Sequence, residues 1–278
     1  MITRIFPVAI PAFLFMLTVY LWPILGLFRT AFNEVGPTGA MIQAWSLQTV
    51  AYVFTDQFTI ELTLNSIRLS STATIAALVL AYPVALFLFR TRSPFRGVLA
   101  VLAILPMMVS GVVRVFGWLA ILGDQGLVNS IAQSLGWISA PMRLVFNTTG
   151  VVIGLTESIL PYMILALLAG FGQLDRTVEE AARSLGASPF RTFIRVTIPL
   201  SMPALTLAAG LGFVLAMSAY VTPKLLGGGR VFVLATEIFE QSVTNTNWPV
   251  AAVLSMYTLV LLLTLIGFSR FASVRLAR

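Results

Sequence analysis

Residues 196–221 read VTIPLSMPALTLAAGLGFVLAMSAYV, 26 positions without a charged side chain. A helix rises about 1.5 Å per residue, so about 20 mainly apolar residues cross the hydrocarbon core of a bilayer. This run is long enough to span and too apolar to lie on the surface of a soluble domain. Within it Ala204, Ala208, Gly212 and Ala216 recur at every fourth position and put small side chains on one helix face. In lipid, small residues let helix backbones approach closely. The stripe predicts dense packing, against another helix of this chain or against a second membrane subunit.

The same pattern recurs along the chain. Spans are expected at about 5–28, 65–89, 97–122, 145–172, 197–221 and 248–269, by the length an apolar helix needs. Arg114 and Glu157 are each the single charge inside an otherwise apolar run. The expectation is an all-α membrane protein with six transmembrane helices in a single transmembrane domain over 1–278. Composition agrees: 58% of residues are apolar and 10% charged, where a soluble domain carries roughly 25% charge. The 278 residues include neither Cys nor His. That removes disulfides, thiolate nucleophiles, imidazole bases and the commonest transition-metal ligands; no metal site and no catalytic residue are expected.

The net charge of +7 would suggest a nucleic-acid partner in a soluble protein, but here topology accounts for it. Alternate connections hold eleven Lys and Arg, among them Arg4, Arg90, Arg92, Arg96, Arg183, Arg191, Arg195 and Arg278, against four in the opposite set, Arg29, Arg143, Lys224 and Arg230. Basic loops stay cytoplasmic, so both termini are expected in the cytoplasm and nucleic acid is not expected as a partner. The first run follows Arg4 as a secretory signal would. It is longer than the roughly 7–15 residues of a signal's apolar region and lacks a small-x-small cleavage site, so an uncleaved first helix is expected, bent near Pro7, Pro11 or Pro23. The outer connections, 29–62, 123–143 and 222–247, have room for short helices that shape a doorway or merely link spans. Asp124 is placed to cap one that stops at Gly136, and Gly227-Gly228-Gly229 marks a tight or flexible turn.

The connection 173–195 has more structure than a linker needs. Asp175 can cap a helix carrying Glu179 and Glu180 near the positive end of its dipole and Arg183 near the negative end. Gly186 supplies a stop, and Ser188-Pro189 a new N-cap and first helical residue. Two short helices meeting at a glycine elbow are expected. Glu180-Ala181-Ala182, three residues, Gly186, nine residues and Val196-Thr197-Ile198-Pro199 resemble the "EAA" signature of the inner-membrane subunits of binding-protein-dependent ABC importers, with Val196 and Ile198 in place of that signature's Ile and Leu. Leu105-Pro106, Arg114-Val115-Phe116-Gly117-Trp118, Gly126-Leu127-Val128-Asn129, Gly154-Leu155, Leu160-Pro161-Tyr162-Met163 and Leu185-Gly186-Ala187-Ser188 are similar to the spermidine/putrescine permease subfamily. The resemblance covers roughly residues 60–270.

The resemblance implies the type I importer permease fold in a bacterial inner membrane. It also implies two membrane subunits, a heterodimer being favoured, two ATPase subunits that bind ATP and Mg, and a periplasmic solute-binding protein. It implies that Glu179, Glu180, Ala181, Ala182, Leu185, Gly186, Ala187, Ser188 and Pro189 couple the chain to an ATPase. The chain has no phosphate-binding Gly-x-x-x-x-Gly-Lys-Ser/Thr motif, and its one lysine is Lys224, so it is expected to be a transport subunit with no bound cofactor. For the solute path, charges within spans are candidates. Glu157 could meet a cationic, polyamine-like solute over the rings of Trp118, Tyr162 or Tyr220, or it could form a structural ion pair with Arg114. Arg68 is explained by snorkelling to the interface. Members of the subfamily also carry opines and amino-acid derivatives. An ion-coupled secondary transporter would show an internal repeat or several mid-membrane ionisable groups, and an intramembrane enzyme would show a catalytic frame; neither is present in the sequence.

Overall fold

The computed structural model describes residues 6–36, 41–172, 174 and 176–276. Thirteen α-helices, α1 to α13, run in chain order among these residues. They begin with α1 (Phe6–Ala31), α2 (Gln48–Thr55), α3 (Gln57–Arg90), α4 (Arg96–Ile104), α5 (Gly111–Leu122), α6 (Leu127–Ser134) and α7 (Thr148–Phe171). They continue with α8 (Arg176–Ser184), α9 (Pro189–Thr192), α10 (Ile198–Ser218), α11 (Val221–Leu226), α12 (Leu234–Phe239) and α13 (Trp248–Leu276). Among the described residues, six segments are long and apolar enough to cross a membrane: Phe13–Ala31, Gln57–Arg90, Gly111–Ser134, Thr148–Phe171, Pro189–Ser218 and Trp248–Gly267. A seventh, shorter apolar helix covers Arg96–Met108.

The third expected span, 97–122, is not one rod. α4 tightens into a 3-10 turn at Leu105–Met108, Val109 is extended, and α5 starts afresh at Gly111. Pro106 has no N–H to donate and opens that turn. Apolar composition continues through the break, so hydropathy does not register it.

The chain divides into two compact units. In the unit formed by Met1–Leu62 with Glu237–Leu263, Arg29 donates to Asn33 Oδ1 at 2.6 Å and to Ala44 O at 3.0 Å, and its guanidinium stacks 4.4 Å from the Trp45 ring. Phe54 and Tyr257 meet edge to face at 5.3 Å. A two-stranded ribbon pairs Glu34–Val35 with Met41–Ile42.

The unit formed by Thr63–Thr236 with Thr264–Arg278 holds the functional residues. Its core is α7 against α10, with α3 beside them. Ala204, Ala208, Gly212 and Ala216 are all buried, and the stripe packs on α7 inside the chain. A methyl added to Gly170 would stand 2.3 Å from Ala204 Cβ, and one on Gly212 would stand 2.6 Å from Met163 Sδ. Both helices thus use missing side chains to approach closely. α3 carries a second stripe at four-residue spacing, Leu69, Ala73, Ala77, Ala81 and Ala85, also buried. Two polar contacts tie this core together: Ser66 Oγ accepts from Leu234 N at 2.8 Å, and the Tyr82 and Ser201 hydroxyls lie 2.9 Å apart.

The connection 123–143 contains α6, but Asp124 does not cap it. Gly126 occupies the N-cap position, and the Asn129 side chain ties the loop by donating to Gly123 O and Met142 O, each at 3.0 Å. The stop at Gly136 forms as expected, with φ +70°. Trp137 N donates to Ala132 O and Gly136 N to Gln133 O, the paired bonds that close a helix through a left-handed glycine. Arg68 is exposed.

Candidate functional site

The connection between α7 and α10 folds as two short helices joined at a glycine. α8 ends with Gly186 at φ +85°; its N–H donates to Arg183 O at 2.9 Å, and Ala187 N donates to Ala182 O at 3.1 Å. An L side chain rarely adopts that φ, so the elbow needs glycine for its backbone and not for space. Ser188 then caps α9, its hydroxyl accepting from Arg191 N at 3.3 Å, with Pro189 as the first helical residue. Asp175 and Gln173 lie outside the described residues, as do Arg4 and Arg278 of the basic set. The tip is apolar and open: Leu185 is 89% exposed and Phe190 is 73% exposed. Glu180 and Ala181 face outward, while Ala182 and Ala187 are partly buried.

Glu179 does not share the outward face of Glu180. Arg90 Nη2, at the end of α3, donates to its two carboxylate oxygens at 2.5 and 2.7 Å, and the hydroxyl of Thr197 donates to Oε1 at 2.8 Å. Thr197 is buried and closes a π-helical turn, Phe193–Thr197, that leads into α10. The sequence reading missed this cluster, because Arg90 and Glu179 are 89 positions apart. A signal was present in the arginine that closes the charge-free run of the second span.

The five residues expected on a solute path come together. Arg114 on α5 donates to Glu157 Oε1 on α7 at 3.2 Å, and Trp118 Nε1, one turn along α5, donates to Glu157 Oε2 at 3.4 Å. Arg114, Tyr162 and Tyr220 line a cavity of about 240 Å³ with Ser158, Ser218 and Thr222. Both ion-pair partners are partly buried, with 17% and 23% of their side chains exposed. Arg114 Nε is buried without an acceptor among the described residues. Arg114 thus belongs to both the ion pair and the cavity wall, and Glu157 is tied to the cavity through it. Chemically the cavity offers hydroxyls, two phenol rings and one incompletely bonded guanidinium. Among the described residues no group of three metal-ligating side chains is found.

Comparison with known proteins places this geometry. The family described as "binding-protein-dependent transport system inner membrane component" matches residues 73–276. The spermidine/putrescine transport system permease protein PotB of Haemophilus influenzae is 35% identical over 202 residues, 73% of this chain and 71% of that protein. PotB of Escherichia coli is 35% identical over 216 residues, 77% of this chain and 78% of that protein. The crystal structure of a bacterial ABC transporter involved in the import of the acidic polysaccharide alginate matches with a TM-score of 0.78 at 16% identity, over 99% of this chain and 96% of that one. That likeness carries the fold, while the family match and the relatives carry descent. Together with the six apolar helices, they establish that the chain belongs to the inner-membrane permease subunits of binding-protein-dependent ABC transporters.

Proposed function

We propose that this permease moves a small polar solute of the polyamine class from a periplasmic binding protein to the cytoplasm by alternating access, driven by ATP that separate subunits hydrolyse. The observation that carries the reading is the elbow: a rigid, glycine-closed pair of helices with Leu185 and Phe190 bare at its tip. Exposed apolar side chains on a fixed backbone suit insertion into a groove of a partner protein. The partner is an ATPase on the cytoplasmic side, the side on which the basic connections put both termini in this reading, and ATP and Mg reside on that subunit. A second, related permease completes the path as a heterodimer in the bilayer. The whole chain acts as one transmembrane domain, with residues 173–195 as its coupling loop and no catalysis of its own.

The polyamine class is supported by the names of the PotB relatives, by the two phenol rings that line the cavity and by the acid paired with its Arg114. A cation would compete with Arg114 for Glu157 and rest against Trp118, Tyr162 or Tyr220. The unbonded Nε of Arg114 favours a second cargo reading on the same machine, an opine or amino-acid derivative whose carboxylate would accept from it. Affinity purification of the tagged permease from its native membrane tests both levels. The permease is expected to co-purify with an ATPase, and Leu185→Asp to release it; a complex that transports with no ATPase attached overturns the reading. Radiolabelled spermidine and a carboxylate-bearing competitor then separate the two cargoes.

A further inference from the structure

Neighbouring acids of α8 have different surroundings. Glu180 is exposed, whereas the Glu179 side chain is only 16% exposed. Its carboxylate joins three elements: the last residue of α3, the first turn of α8 and the root of α10. Arg90 Nη2 also reaches the Thr197 hydroxyl at 3.3 Å, so every pair in the trio is bonded. The charges suit their helices, a guanidinium at the negative end of α3 and a carboxylate at the positive end of α8. Thr197 is 1% exposed and is set by the π turn, which adds a residue to the helical repeat; such turns concentrate at functional positions. Directly behind the trio, Tyr82 bonds Ser201 and packs edge-on to Phe171 at 5.5 Å and Phe193 at 6.0 Å.

A partly exposed ion pair contributes little to stability, but three elements sharing one carboxylate cannot shift independently without losing charge-assisted hydrogen bonds. We infer that Arg90, Glu179 and Thr197 form a latch that makes the second span move with the elbow, so that the ATPase stroke reaches α3 as well as α10. Arg90 and Glu179 are positioning residues in this scheme, and Glu180 is left to face the partner. The inference rests on the ATPase-docking reading above.

The test uses the full importer in proteoliposomes with its binding protein. Arg90→Glu and Glu179→Arg, each alone, are expected to cut solute-stimulated ATP hydrolysis by about tenfold or more, with the ATPase still co-purifying in normal amount. The double exchange is expected to recover at least about half of the stimulation, since it restores the pair with reversed polarity. Normal stimulation in either single variant, or no recovery in the double exchange, overturns the latch. A wild-type complex that retains no ATPase sinks the functional reading and the latch with it, an outcome visible before any variant is made. Because the chain contains no cysteine, Arg92→Cys, two residues past the end of α3, with Arg183→Cys on α8 gives a clean spin-label pair that reports on the two elements. The labels are expected to keep their separation between nucleotide-free and ATP-trapped states. A change of about 5 Å, one helical turn, would show the two elements moving apart and overturn the latch.

Discussion

Arg90–Glu179 and Arg114–Glu157 are both arginine–carboxylate pairs within Thr63–Thr236, and they are bonded differently. Around Glu179 the contacts are short, 2.5 to 2.8 Å, and a buried hydroxyl completes them. Around Glu157 they are 3.2 and 3.4 Å, and the arginine keeps one buried N–H without an acceptor among the described residues. An unmet buried donor raises the energy of the state that contains it, by about 1–3 kcal/mol. A solute bearing an acceptor, or a cation able to replace Arg114 at Glu157, could recover part of that. A carboxylate held by three short bonds suits a joint that must hold, and a pair with an unmet donor beside a cavity suits one that must exchange partners.

The strongest way to break this contrast lies at the elbow. Gly186→Val puts a β-branched residue at φ +85°, a strain of about 1–2 kcal/mol, although no atom lies within 4 Å of the added Cβ. Solute-stimulated ATP hydrolysis is expected to fall below about a tenth of the wild-type rate, while membrane insertion, followed by immunoblot, stays normal. Unchanged stimulation would remove the elbow from the coupling path. A second experiment crosses the two pairs. Glu157→Gln is expected to change the solute concentration for half-maximal uptake by about 5- to 50-fold, whereas Glu179→Gln lowers the maximal rate. If both variants change the same parameter, the distinction between holding and exchanging fails. The smallest effect is expected from Trp118→Phe, which keeps the ring and removes the N–H that reaches Glu157. One weak hydrogen bond is worth about 0.5–1.5 kcal/mol, so a shift of a few fold in half-maximal uptake is expected from titration.

What could be read from the sequence depended on how locally each feature is encoded. The spans follow from uninterrupted apolar length, and the elbow from punctuation at Gly186, Ser188 and Pro189, residues that act on their own backbone. The capping of α6 went to Gly126 and not Asp124 because Asn129 fixes that loop through bonds to Gly123 and Met142. The break at Val109 escaped a reading that weighs composition and ignores dihedrals. The small-residue stripe of α3 has the same spacing as the one recognised in α10, so it was available from sequence and was overlooked. Arg90, Glu179 and Thr197 meet only through tertiary packing. The grouping of Arg114, Trp118 and Glu157 was within reach because helical spacing aligns the first two and the third is a lone acid in an apolar run.

α10 begins one residue after Thr197 and ends at Ser218, which lines the cavity. Its 21 residues span about 31 Å. Methyl groups and bare glycines along its seam with α7 have no rotamers in which to absorb a displacement. A tilt of only about 5° at the root would carry the far end sideways by about 3 Å at that length, roughly the diameter of a water molecule. The beam is thus long enough for a small tilt at its root to shift the cavity wall at its far end by the width of one solvent molecule.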